Sequence, residues 1–216
     1  MTLNGIIIER VSEFRFLGVL IDEKFKWKSH IAYVRNKICK NIAVLSKVKF
    51  VLNYKAMRIL YCSFILPYLM YCLEVWGNSY FTNLMPLFIL QKRAIRIING
   101  VAPREHTGLF LRSGLLKLKD LVSLQTLLVV YKAKHCLLPH GLQTLFTVNS
   151  ETSRRNNDFK QPFAGNTLKQ MCVSVSGVKR WNSLENDLKC CSNILQFKYK
   201  YKQKILNLYK DECENL

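Results

Sequence analysis

Between Arg58 and Lys92 the chain carries one charged side chain, Glu74, and from Ile59 to Leu73 it carries none. A stretch so poor in charge has to leave water, either for a bilayer or for a protein interior. A spanning helix needs about 20 consecutive apolar residues. This run is interrupted by Ser63 and Pro67 and then meets Glu74 and the breaker Gly77-Asn78-Ser79. It therefore predicts buried core helix, running from Tyr54 through the Pro67 region toward Trp76, kinked or divided by the proline and ended by Gly77.

Other segments can be arranged around that core. Gly5-Ile6-Ile7-Ile8, Val11 and the run Phe14 to Ile21 read as β structure, because aromatic and β-branched residues dominate them. Gly18 inside the run predicts a bulge or a close backbone approach. Asp22-Glu23-Lys24 ends it. A long helix starts near Ser29 as N-cap, with Ile31, Val34, Ile38, Ile42, Leu45 and Val48 on one stripe. A third helix, Thr82 to Ile98, carries Leu87, Leu90, Ala94 and Ile97 at helical spacing and closes at Asn99-Gly100. Its last turns bear Lys92, Arg93 and Arg96, which suit a helix C-terminus. After a loop from Val101 to Gly114, a fourth helix runs from Lys119 to Cys136 and stops at Pro139-His140-Gly141. Residues 149–166 are polar and poor in aliphatics and read as a connector. Beyond them, Cys172 to Ser176 alternates like a short strand, followed by helices at Val178 to Leu188 and Asn193 to Tyr209.

Charge narrows the function. Lys and Arg number 33 against 14 Asp and Glu, a net charge of +19 at pH 7. With half of the residues apolar the chain can fold, so the surplus is not the signature of disorder. It points to a polyanionic partner, nucleic acid or an anionic membrane surface. The eight cysteines, at 39, 62, 72, 136, 172, 190, 191 and 213, form no Cys-x-x-Cys and no zinc-ligand spacing with His30, His106, His135 or His140. They read as reduced thiols, with Cys62, Cys72 and Cys136 in the core, in a cytoplasmic or nuclear protein. Met1 to Arg10 shows no secretory signal pattern.

The residues for catalysis are missing. The acids are scattered: Asp22-Glu23 are neighbours in a turn and Glu185 and Asp187 lie two apart. Two-metal phosphoryl transfer needs carboxylates gathered around both ions. There is no Gly-x-Ser-x-Gly elbow and no phosphate-cradling glycine loop. His30 reads as a surface group at a helix start. What remains is cations interleaved with aromatics, in Lys24-Phe25-Lys26-Trp27-Lys28 and in Phe197 to Lys204. Ammonium groups neutralise phosphates and aromatic rings stack on bases. For the second run, a helix that buries its rings and solvates its lysines is an equal reading. From Lys24 to Arg58 the cations Lys24, Lys26, Lys28, Arg35, Lys37, Lys40, Lys47, Lys49, Lys55 and Arg58 occur with no acid among them.

Several blocks together carry a resemblance. Phe16-Leu17-Gly18-Val19-Leu20-Ile21-Asp22 with Phe25-Lys26-Trp27-Lys28-Ser29-His30-Ile31, then Pro67-Tyr68-Leu69-Met70-Tyr71-Cys72 through Val75-Trp76-Gly77, then Leu90 to Arg96, then Gly177-Val178-Lys179-Arg180-Trp181-Asn182-Ser183-Leu184 occur in that order. They resemble the end of the polymerase region and the following segment of reverse transcriptases from non-long-terminal-repeat (LINE-type) retrotransposons, over about Phe14 to Tyr209.

The resemblance implies a primer-grip hairpin at the edge of a polymerase palm, followed by a thumb that holds template and primer. The expected architecture is α+β and predominantly α-helical. It comprises a palm-edge hairpin over residues 1–26, a thumb-like helical region over 27–148, a connector over 149–166 and a small strand and helix unit over 167–216. The catalytic aspartates of such enzymes lie upstream of the hairpin in a Tyr/Phe-x-Asp-Asp turn and an earlier strand, and no such turn occurs here. The resemblance therefore implies a truncated piece of an RNA-directed DNA polymerase, inactive alone and without a cofactor of its own, although the full-length family needs magnesium. The implied partner is primer–template nucleic acid, an RNA–DNA hybrid or duplex, held without sequence preference. The implied contacts are Phe16, Leu17, Gly18, Lys24, Lys26, Trp27, Lys28, Arg35, Lys37, Lys40 and Lys47. Two alternatives stand beside this reading: a fragment docking its apolar helices on a missing palm or another protein, and a basic peripheral membrane protein.

Overall fold

The stripe from Ile31 to Leu45 is the organising element of the fold. In the computed structural model, which describes residues 2–3, 5–7, 9–102, 108–149 and 158–214, it buries one face of a helix from Lys28 to Val48. Upstream lie two antiparallel hairpins. The first pairs β1 (Thr2–Leu3) with β2 (Ile6–Ile7), and the second pairs β3 (Glu13–Phe16) with β4 (Val19–Asp22). The register of β3 and β4 sets Phe16 against Val19 and Phe14 against Ile21. Leu17 and Gly18 are then left as a two-residue turn rather than the strand bulge that the run of β-formers predicts. β4 lies against the Lys28–Val48 helix, α1, with Val19 buried.

Two features of the start of α1 differ from expectation. Ser29 lies inside the helix, and Trp27 occupies the N-cap in the left-handed region, with no side-chain cap. His30 is 2% exposed, not a surface group. Its Nδ1 accepts the Leu20 N–H at 3.3 Å and its ring stands edge-on to Trp76 at 5.3 Å. Burial holds its pKa below the ordinary histidine range.

The charge-free stretch divides into α2 (Tyr54–Phe64), α3 (Leu66–Met70) and α4 (Leu73–Trp76). Pro67 is tolerated because it falls in the first turn of α3, where its missing N–H has no intrahelical partner to lose. The second break, at Tyr71 and Cys72, has no glycine: Cys72 adopts φ 49°. Tyr61, Ile65, Leu69, Leu73 and Trp76 are fully buried, as a charge-free core requires. Among the described residues, no helix is long and apolar enough to cross a membrane.

The next helix, α5 (Phe81–Asn99), packs along α1 and ends at Gly100 in the left-handed conformation. Gln91 on α5 is fully buried. Its amide donates to Tyr61 Oη (3.1 Å) and to the Leu116 carbonyl (3.0 Å) and accepts from the Leu118 N–H (2.8 Å). That one side chain joins α2 and α5 to the entry of the central α7 (Leu118–Lys134), which follows the short α6 (Leu109–Ser113).

After α7 come α8 (His140–Gln143), α9 (Thr167–Met171), α10 (Val173–Asn182), α11 (Asn186–Lys189) and α12 (Ile194–Glu214). Of the proposed connector, residues 150–157 lie outside the described residues. Its described part is tied down: Phe159 is 1% exposed and Asp158 accepts from the Trp181 indole (2.7 Å) and from Lys134 (2.9 Å).

The alternating segment Cys172 to Ser176 is not a strand. From Val173 it is helical, because Val175, Val178 and Trp181 are spaced to bury on α7. Gly177 permits that contact, since a Cβ there would lie 2.8 Å from Val130 Cγ2. In α12, Phe197, Tyr201, Ile205 and Tyr209 face inward while Lys198, Tyr199 and Lys200 are exposed. Tyr131, Trp181, Phe197 and Tyr201 form one run of ring contacts across α7, α10 and α12. All eight cysteines are free. Cys136, expected in the core, is exposed, and Cys62 and Cys72 are half-buried.

Candidate nucleic-acid interface

The β3–β4 turn has positive φ at both central residues, 44° at Leu17 and 84° at Gly18. That is the geometry whose twist matches a two-residue hairpin. Gly18 adopts it freely, whereas Leu17 is strained. Tyr71, in the break after α3, secures the strained residue by donating its hydroxyl to the Leu17 carbonyl at 2.6 Å. Its ring would lie 3.6 Å from a Cβ at position 18, so the turn rests against the edge of the tyrosine ring. Leu17 is then 73% exposed, with Phe14 and Phe16 beside it in water. Arg15 points the other way and lies over the Tyr33 ring at 5.4 Å.

The link from β4 to α1 is built around Asp22. Its carboxylate accepts the backbone N–H groups of Lys24 (3.1 Å), Lys26 (3.0 Å) and Trp27 (2.8 Å). Burial pushes the carboxyl up, but these bonds to its charged form outweigh burial and hold its pKa below the ordinary aspartate value. With Phe25 at φ 51° and Trp27 at φ 62°, the link coils tightly. Lys24, Phe25 and Lys26 are turned outward, while Trp27 is 8% exposed and joins the core. Trp27 therefore has no free ring face for stacking, and Phe25, 52% exposed, is the aromatic available in this run.

Along α1, Lys28, Arg35, Lys40 and Lys47 are exposed and Lys37 is half-buried, its ammonium 5.5 Å from the Tyr33 ring centre. At about 100° per residue, cations seven residues apart nearly superpose, about 10 Å apart along the axis. Lys28 with Arg35 and Lys40 with Lys47 therefore make two rows on the solvent half of the helix, about 120° apart. The sequence-predicted cations do not form one stripe. Lys24, Lys26 and Lys28 cluster at the hairpin end, and the rest wrap around α1. Among the described residues none of them is in an ion pair.

Sequence reasoning missed two contributors, Asp22 as the anchor of the link and Tyr71 as the support of the turn. Asp22 followed by a glycine-free turn was the available signal for the first. Tyr71 left none, because its partner lies 54 residues away. Among the described residues no three His, Cys, Asp or Glu side chains come together as a metal site.

Three polymerases of mobile elements resemble this chain. The RNA-directed DNA polymerase from mobile element jockey of Drosophila funebris is 29% identical over 105 residues, 46% of this chain and 11% of that protein. The jockey polymerase of Drosophila melanogaster matches with the same identity and coverage. The probable RNA-directed DNA polymerase from transposon BS of Drosophila melanogaster is 24% identical over 99 residues, 44% of this chain. The chain is related to LINE-type RNA-directed DNA polymerases. This polymerase relationship covers about a tenth of those relatives' length. No protein-family model and no solved structure matches the chain.

Proposed function

We propose that this part of a LINE-type reverse transcriptase grips primer–template nucleic acid, in the manner of a thumb with the adjoining primer-grip turn. The observation that supports it most is the set of exposed cations running from the Asp22 link along α1 with no acid interposed, in a chain related to polymerases. Exposed cations of this kind neutralise the phosphate backbone, which is contacted by charge without base readout. The Leu17–Gly18 turn offers backbone held on Tyr71 for close approach to a strand. Nucleotide transfer is not part of this proposal, since the sequence has no adjacent pair of aspartates and, among the described residues, no three potential metal ligands gather.

A salt titration tests this reading, using the full chain against an RNA–DNA hybrid, duplex DNA and anionic vesicles. The hybrid is expected to bind with a steep salt dependence, and Lys40→Glu with Lys47→Glu to flatten the log–log slope by about two, one per phosphate contact. Vesicle binding without hybrid binding, or an unchanged slope, overturns it.

A second reading, docking on a protein partner, is supported by Phe14, Phe16 and Leu17, each more than half exposed on a sheet of only two strands. A two-stranded hairpin is marginal alone, and apolar side chains left in water at its surface suit an additional strand or sheet.

A further inference from the structure

A groove of about 900 Å³ opens where α1, α5 and α6 all end, away from the hairpin. It is walled by Lys49 and Phe50 after α1, Tyr54 at the start of α2, Arg93 and Arg96 on α5 and Arg112 on α6. No carboxylate is among its described lining residues, and Arg96 is held by a partner of its own, so Lys49, Arg93 and Arg112 are the cations that share the concavity.

Helix capping does not account for them. The Gly100 N–H already reaches the Ile97 carbonyl and the Val101 N–H the Arg96 carbonyl, while the Gly114 and Leu115 N–H groups satisfy the end of α6. The last turns of α5 and α6 are closed by backbone, so Arg93 and Arg112 complement the helix ends by charge while their side-chain donors are not spent on capping bonds. Both are exposed.

Beside the cations stand two aromatic faces. Phe50 is 86% exposed with the Lys49 ammonium 4.6 Å from its ring centre, and Tyr54 is 41% exposed. Cations that track phosphates together with rings that accept bases are the two parts of a single-strand binding groove. The volume is at the upper end of ordinary ligand sites, more than one phosphate would fill.

We propose that this groove holds an unpaired stretch of nucleic acid, the single-stranded overhang of a duplex carried on α1. The overhang assignment rests on the duplex reading above; single-strand binding by the groove does not. Lys47 stands two residues before Lys49, so the Lys40–Lys47 row leads into the groove. The 21 residues of α1, about 31 Å long, separate it from the hairpin.

The full chain is tested against labelled oligouridylate, a blunt RNA–DNA hybrid and the same hybrid with an overhang. Wild type is expected to bind the overhang hybrid more tightly than the blunt one. Arg93→Glu with Arg112→Glu should remove that gain and weaken oligouridylate by about tenfold or more, leaving the blunt hybrid within about twofold. Arg93→Ala with Arg112→Ala, expected to act in the same direction, serves if charge reversal impairs folding. Phe50→Ala should weaken oligouridylate by about fivefold or more through the lost stack. Lys40→Glu with Lys47→Glu should do the opposite, weakening the blunt hybrid most.

Equal loss of blunt and single-stranded ligands in the groove variants overturns the proposal, as does displacement of oligouridylate by anionic vesicles. Blunt-hybrid binding with no groove-dependent component overturns the groove alone. Groove-dependent oligouridylate binding without hybrid binding overturns the duplex reading and retains the groove as a single-strand site.

Discussion

Replacing Asp22 by alanine removes three hydrogen bonds to a carboxylate and leaves the backbone N–H groups of Lys24, Lys26 and Trp27 to water or to nothing. Hydrogen bonds to charged groups contribute about 1.5–3 kcal/mol each, and the partly open link lets water recover some of that, so Asp22→Ala should cost about 2–4 kcal/mol in total. Asp22→Asn should cost about half as much, because the amide keeps one oxygen but sets an NH₂ group against one of the donors. The pH dependence identifies the group. A carboxyl whose native pKa is depressed contributes stability that is fully present above its unfolded value near 4 and is lost as the pH falls through the native value. Urea denaturation of wild type and Asp22→Ala should show a gap that is constant at neutral pH and closes with acid from about pH 4 downward. Asp158 and Glu212, also depressed, titrate equally in both proteins and cancel. A gap below about 0.5 kcal/mol, or one that does not close with acid, refutes the assignment of Asp22 as the carboxylate that builds the link.

Two further changes test the core that carries the site. Gln91→Leu leaves Tyr61 Oη, the Leu116 carbonyl and the Leu118 N–H without their partner, and should lower stability by about 3–5 kcal/mol in urea denaturation. Gly177→Ala sets a Cβ against Val130 and Thr126, and should destabilise by about 1–3 kcal/mol despite alanine's better helix propensity, with Val130→Ala restoring part of the loss.

Regular spacing was the legible part of this fold. The α1 stripe, the charge-free core around Tyr61 and Leu69, and the close of α5 at Gly100 follow from periodicity and one glycine. What local pattern concealed was decided by contacts distant in sequence. Val173 and Val175 favour a strand by themselves, but α7 supplies a surface on which only a helix places Val175, Val178 and Trp181 together. The break at Cys72 has no breaker residue. It is occupied from both sides: Trp76 donates its indole N–H to the Tyr71 carbonyl, and the Tyr71 hydroxyl bonds to the hairpin. In the candidate site, the lysines were readable from charge, but not which aromatic would face water. Phe25 and Trp27 are two residues apart among the same lysines. The coiled link anchored on Asp22 sends one outward and the other inward.

The placement of the tryptophans also bears on how unfolding can be observed. The sequence has three, and the structure buries each in a different place: Trp27 where the hairpin joins α1, Trp76 at the end of the charge-free core, and Trp181 in the aromatic run linking α7, α10 and α12. Trp76 is quenched or released with the core helices, and Trp181 with the packing of the last helices on α7. Trp27 reports whether the link that orients the lysines is formed. Intrinsic fluorescence therefore contains three spatially separate signals. Single-tryptophan versions of the chain would distinguish loss of the proposed grip from loss of the fold that supports it.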